Sequence, residues 1–161
     1  MRSSWTIEVD GTVLKPASFT YEEFRRMDDE TVEPEKWVPG VKGNALRLQV
    51  LLRRVGLRLD TTHLRFWGAD DFQAEIPVTD LQDAFLLYRK NGRPLKKGYP
   101  VRLYVPQGES NCLNVKSIVR VEAVAYEGAD AKKPATFGFR NIIRPEELLQ
   151  PDFSGSVLKQ R

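Results

Sequence analysis

Cys112 and His63 are the single cysteine and the single histidine of a 161-residue chain. A structural zinc site takes about four Cys or His ligands and a catalytic one about three. The chain therefore cannot build a metal or redox centre from these residues alone. A Cys-His nucleophilic pair would need the two to meet from distant parts of the chain, and neither lies at a helix start or in a strained elbow. The plainer reading is a partly buried thiol and a strand histidine. Two acidic pairs, Asp28-Asp29 and Asp70-Asp71, could do acid-base work only if their surroundings separated their pKa values; adjacent acids in turns are ordinarily solvated. The 11 glycines stand singly at turns, with no glycine-rich phosphate cradle, so nucleotide hydrolysis has no support.

Net charge is +3, which permits weak attraction to anions but falls short of a polybasic tail. Arg47 and Arg54 flank an apolar stripe, with Arg58 beyond it, while Lys90, Arg93, Lys96 and Lys97 cluster about an Asn91-Gly92 turn. Both groups read as solvated basic surfaces. No aromatic interleaving or reading module accompanies them, so no nucleic-acid partner is expected. No apolar run approaches the roughly 18 to 20 residues of a membrane span, and the N-terminus shows no export signal. A cytoplasmic, soluble protein with no membrane partner is expected. The length and 41% hydrophobic content suit one domain with one sizeable core.

The elements that must position these residues are mostly strands. Trp5-Thr6-Ile7-Glu8-Val9 alternates at period 2 and ends at Asp10-Gly11. Thr20 and Glu23 form a capping box, with Phe19 and Phe24 as its hydrophobic staple, so a short helix starts at Thr20. From Asp28 to Asn44 charges and breakers leave no period, which predicts a long loop with at most one strand. Leu48, Leu51, Leu52 and Val55 fall at helical spacing before a Gly56 cap. Strands at Leu64–Trp67 and Phe72–Ile76 flank a polar turn and read as a hairpin. Thr79-Asp80-Leu81-Gln82 has capping-box form, after which Ala84–Tyr88 either continues a helix or enters a strand. Val101–Val105 and Val115–Val124 read as strands, the second central or shared between two sheets. The chain beyond Gly128 reads as irregular, with one short helix near Pro145–Leu149.

Taken in order, these blocks resemble the oxidoreductase molybdopterin-binding domain, the cofactor-holding fold of sulfite-oxidase-type enzymes. The segments carrying the resemblance are Trp5–Gly11 with the Thr20-led helix, Leu48–Gly56, Ala69–Pro77, Leu86–Tyr88, Asn91–Leu95, Gly98–Pro106 and Val115–Glu122. The resemblance implies an α+β chain: a mixed, strand-rich sulfite-oxidase-type molybdopterin-binding fold with a few short helices. It covers residues 5–126, so the expected organisation is a domain over 1–126 and an irregular tail over 127–161 packed on it.

Such a family coordinates molybdenum through one cysteine between the first helix and the leucine-rich helix, the pterin's dithiolene sulfurs supplying the other soft ligands. Here the interval from Phe24 to Leu48 contains no cysteine. Lys36, Trp37 and their neighbours stand there instead, and neither an indole nor an ammonium replaces a thiolate. No protein metal ligand is therefore expected. Cys112 lies in a different block and could substitute only with a relocated metal. By the resemblance, that block helps hold the pterin and its phosphate, which singles out Arg102, Asn111, Cys112, Asn114, Lys116 and Ser117 for anion contact. The plainer reading makes Arg102 and Lys116 charges on strand edges. The expectation is a cofactor-free, non-redox member of the fold that binds a small anionic ligand or a protein partner. A molybdopterin-dependent oxidoreductase acting on a small oxyanion, sulfoxide or N-oxide is the alternative. An interaction domain using the Asp28–Asn44 loop and the tail is a third reading.

Overall fold

Alternating burial builds the first sheet. The structure, a computed structural model, describes residues 5–28, 32–108 and 110–139. Strand β1 (Thr6–Gly11) buries Ile7 and Val9 and exposes Thr6 and Glu8, as its sequence alternation requires. It turns into β2 (Ala17–Thr20), antiparallel to it. Helix α1 (Tyr21–Arg26) then starts on the expected capping box: the Glu23 amide donates to Thr20 Oγ1 at 3.1 Å and the Thr20 amide to Glu23 Oε1 at 2.9 Å. Thr20→Ala removes one arm of the box and is expected to lower stability by about 1 kcal/mol, read from the urea midpoint. The helix is one and a half turns long, so its tertiary contacts matter more than its propensity. Phe24 is fully buried, edge-on to Trp5 at 5.1 Å and to Tyr88 at 5.4 Å.

Within the stretch read as a loop, a one-turn helix α2 (Pro34–Trp37) forms with Pro34 in its first turn, and strand β3 (Asn44–Arg47) follows. Four residues are too few to show a helical period, which is why only the proline hints at it. Helix α3 (Leu48–Val55) buries Leu48, Val50, Leu51, Leu52 and Val55, and ends at Gly56 with φ 71°.

Strands β4 (His63–Gly68) and β5 (Phe72–Pro77) make the expected hairpin, with Leu64 opposite Ile76 and Phe66 opposite Ala74. The helix expected at Thr79 is corrected: only a three-residue 3-10 turn, Val78–Asp80, forms there, without a side-chain cap. The residues after it explain why. Ala84, Phe85, Leu86, Leu87 and Tyr88 are all buried, leaving no polar side for a surface helix, and they enter β6 (Phe85–Lys90). Asn91 and Gly92, at φ 54° and 76°, form the tight turn to β7 (Arg93–Pro94). β8 (Arg102–Tyr104), β9 (Ile118–Val124) and β10 (Thr136–Phe139) complete the described chain.

The larger sheet has the order β10-β5-β4-β9-β1-β2; in the smaller one β6 pairs with β3, β7 and β8. β9 lies centrally, antiparallel to β4 and parallel to β1. It starts three residues later than Val115, because Ser117 takes φ 55° and the β4–β9 register shifts at Gly68. The displaced residues join the two sheets: Leu103 donates to the Val115 carbonyl and Ile118 to the Val101 carbonyl, both at 2.9 Å. β10 lies in the part of the chain read as irregular and adds an edge to β5. Its alternate residues Phe137 and Phe139 are each 48% exposed, so no buried alternation marks it as a strand. The Pro145–Leu149 helix falls outside the described residues. The fold is thus strand-rich α+β with mixed sheets and a few short helices. No helix among the described residues is long and apolar enough to cross a membrane.

Candidate functional site

Two clefts meet at Arg102. The first, of about 330 Å³, is lined by Arg102, Asn111, Cys112, Asn114 and Lys116, together with Asp70, Phe72, Val115 and Phe139. Five of the six residues singled out in the sequence therefore converge. Ser117 is not among the lining residues; its carbonyl accepts from the Ala69 amide at 2.9 Å, so it shapes the wall through its backbone.

Local hydrogen bonds hold this loop. Ser110 Oγ accepts from the Cys112 amide at 3.0 Å, capping the short turn Asn111–Leu113. Asn114 Oδ1 accepts from the Val105 amide at 2.8 Å, which ties the loop's end to its beginning. That bond makes Asn114 a structural brace. Cys112 is exposed, correcting the expectation of a partly buried thiol: the tight turn packs Leu113 inward and leaves its neighbour outside. Arg102 is half-buried, its guanidinium 5.0 Å above the Tyr104 ring, and its Nε is buried with no hydrogen-bond partner. Such an unmet donor costs about 1–3 kcal/mol.

The second cleft, of about 640 Å³, lies between the β6–β7 hairpin, the chain leading to β8, and residues Gly40, Val41 and Lys42. Lys42, Lys90, Arg93, Lys96, Lys97 and Arg102 line it, and no Asp or Glu does. In the sequence the hairpin lysines read as a solvated surface. The concavity was not legible there because its far wall comes from residues before β3. The signal that existed is the absence of any acid from Arg89 to Arg102.

His63, Glu75 and Tyr88 are tied into the fold by hydrogen bonds. His63 is buried, with Nδ1 2.8 Å from Thr62 Oγ1 and Nε2 2.9 Å from the Lys133 carbonyl. Both nitrogens are satisfied, and no hydrogen bond links the imidazole to Cys112. Glu75, in the middle of β5, accepts from Arg65 Nη2 and the Tyr126 hydroxyl at 2.7 Å each, with Lys133 Nζ at 2.8 Å. Burial alone would raise its pKa, but the hydrogen bonds from Lys133, Tyr126 and Arg65 outweigh it and hold the carboxyl below its ordinary value. Tyr88, by contrast, is pushed up by burial and by its bond to Asp28.

Among the described residues no group of three or more His, Cys, Asp or Glu could hold a metal ion. The segment joining α1 to α3 brings Gly40, Val41 and Lys42 to the second cleft, while Trp37 lies 5.4 Å from the Arg47 guanidinium. No thiol stands in this segment; the one cysteine of the sequence, Cys112, lines the first cleft.

Over residues 1–132 the chain matches the family model described as the oxidoreductase molybdopterin binding domain. It is 28% identical to the NAD(P)H nitrate reductase of Hordeum vulgare, a match covering 65% of this chain and 16% of that protein. Among solved structures it resembles the sulfane dehydrogenase SoxCD from Paracoccus pantotrophus, with a TM-score of 0.59 and 26% identity over 76% of this chain and 39% of that one. The chain thus spans well under half the length of either relative. The match spans most of the sequence: the chain belongs to the oxidoreductase molybdopterin-binding domain family.

Proposed function

We propose that the protein is a non-redox member of its family, binding a small oxyanion in the first cleft without a molybdenum centre. The observation that carries this reading is the convergence of Arg102 and Lys116 on one cleft, with the Arg102 Nε–H buried and unmet. A guanidinium presents a planar fork that matches two oxygens of an anion, and an ammonium adds a compact charge beside it. Asn111 offers a neutral amide. Asp70, the acid of the rim, has Oδ1 engaged by the Phe72 amide at 3.2 Å. The cleft therefore combines two cations with one carboxylate already hydrogen-bonded to its own turn.

A molybdopterin bound in a member of this family would supply oxygen-transfer chemistry. In this chain Arg102 and Lys116 fit the cofactor's phosphate, whereas the interval from Phe24 to Leu48 offers no thiolate to its metal.

Titration of the whole chain with inorganic phosphate, followed by amide NMR, tests the reading. Shifts are expected to centre on Arg102 and Asn111–Ser117, and Lys116→Ala should weaken binding about tenfold, the loss of one charge-assisted hydrogen bond. Metal analysis and fluorescence of released pterin should both be negative. Stoichiometric molybdenum, with oxidation of sulfite or reduction of a sulfoxide or N-oxide, would overturn the proposal and make the protein a molybdopterin-dependent oxidoreductase.

A further inference from the structure

Several cations of this protein are paired with acids: Arg65 with Glu75 and Glu122, Arg120 with Asp10, Lys133 with Glu75, Arg58 with Asp60. The second cleft gathers six that are not. Among the described residues, none of Lys42, Lys90, Arg93, Lys96, Lys97 and Arg102 makes a salt bridge, and no carboxylate lines the cleft to offset them. Six like charges around one concavity repel each other, and the low-dielectric wall beneath strengthens that repulsion. Leu87 and Leu95 supply such a wall.

We propose that this second cleft binds a small polyphosphate, a chain of two or three phosphate groups. Three features select that class. The volume, about 640 Å³, is of the size that encloses a small molecule. The charge is dense, and a phosphate chain concentrates negative charge more closely than an acidic peptide, whose residues are spaced about 3.3–3.6 Å apart when extended. The cleft also lacks a stacking surface for a base. Its one aromatic ring, Tyr104, is buried under the Arg102 guanidinium and stacked on Phe85 at 5.4 Å, so it is closed to a nucleobase. Arg93 and Arg102 can each grip two oxygens of one phosphate, while the exposed lysines follow the rest of the chain as mobile point charges.

The site shares Arg102 with the oxyanion cleft proposed above and is otherwise lined by different residues. Lys116 lines only the first cleft and Lys96 only the second, with Arg102 common to both. Failure of one proposal is therefore readable without the other.

Calorimetric titration of the full chain with inorganic tripolyphosphate at low salt is the test. One-to-one binding is expected, weakened at least about tenfold by the double variant Lys96→Glu/Lys97→Glu, since charge-assisted contacts become repulsions. The double variant Lys90→Gln/Arg93→Gln should weaken it as well, with melting temperatures unchanged because all four side chains are exposed. Lys132→Glu, on the 3-10 turn Gly128–Lys132 outside the cleft's lining, should leave binding within about twofold when the titration is repeated at roughly 0.15 M salt, where charges more than about 8 Å apart are screened. Lys116→Ala should do the same. No binding by the native chain, or an equal loss in Lys132→Glu, would overturn the proposal, the latter by showing a diffuse field. Capture of polyglutamate that tripolyphosphate cannot displace would overturn it in favour of an acidic peptide.

Discussion

Glu75→Ala is expected to destabilise the protein by about 3 kcal/mol, lowering its melting temperature by about 6–12 °C for a chain of this size. Glu75 has an 8% exposed side chain and is the shared acceptor for Arg65, Tyr126 and Lys133. Arg65 faces it directly across the β4–β5 pair, so the ion pair is also a cross-strand pair. Removing the carboxylate leaves two partly buried cations and a phenol without their acceptor. Arg65 keeps Glu122 at 3.3 Å, and Arg65 and Lys133 are 26% and 32% exposed, which holds the loss to the lower end of what a broken buried pair costs. Lys133 also presents its carbonyl to His63, so the variant should loosen the chain from Gly128 to Lys133 as well. Hydrogen exchange at His63 and Tyr126 should then accelerate.

The same cluster sets a pH dependence. The Glu75 carboxyl lies below its ordinary 4.5 when folded, so its contribution is complete above pH 4.5 and fades as pH falls through the lowered value. At the other end, burial pulls the Lys133 ammonium down, but its hydrogen bond to Glu75 prevails and holds it above 10.5. Its contribution is complete below pH 10.5 and fades as pH rises through the raised value. The stability difference between native protein and Glu75→Ala should therefore be flat near neutrality and shrink at both extremes. A constant difference down to pH 2 would contradict a carboxylate held by these partners.

Gly43→Ala is expected to cost about 3 kcal/mol and to distort the polyphosphate cleft. Gly43 has φ 134°, outside the range an alanine adopts without strain. A Cβ there would overlap the Arg89 carbonyl oxygen of β6 and meet Leu87 Cδ1 at 3.0 Å. The first is backbone within a paired strand and cannot swing aside. The chain would have to lift where β3 meets β6, at the register shift between Asn44 and Ala45, taking Gly40–Lys42 away from the cleft wall. Gly40→Ala is the matched control: Gly40 also has positive φ, 86°, but nothing within 4 Å of the added Cβ. Its cost is conformational alone, about 1–2 kcal/mol. Thermal melts of the two variants decide the matter; equal melting temperatures would show that the close approach to β6 carries no weight.

Elements whose signal is local were legible in the sequence. The capping box at Thr20 and Glu23, the stripe of α3 with its Gly56 stop, and the β4–β5 hairpin follow from contacts within a few residues. The run Ala84–Tyr88 could not be resolved by periodicity, since burial on both sides erases the polar face that distinguishes strand from helix. β10 is illegible for the opposite reason: half-exposed phenylalanines on an edge carry no buried alternation. For the candidate site, the resemblance pointed to the loop after Pro106, and five of the six residues it singled out share a cleft. Ser117 does not: it takes a positive φ and meets Ala69 through its backbone carbonyl.

By itself the sequence determined the family, the strand-rich class and the lack of a thiolate between α1 and α3, because each depends on residue type and order along the chain. Tertiary structure alone decided how the charges are distributed. Arg65 and Lys133 stand 10 and 58 residues from Glu75 along the chain, yet the pairing of β4 with β5 and the return of the chain at Lys133 make them one cluster. Lys42 and Lys97 come from opposite sides of α3 and end on one cleft. Which cations are neutralised and which remain available to an anion is a property of strand order and register, and no local pattern encodes it.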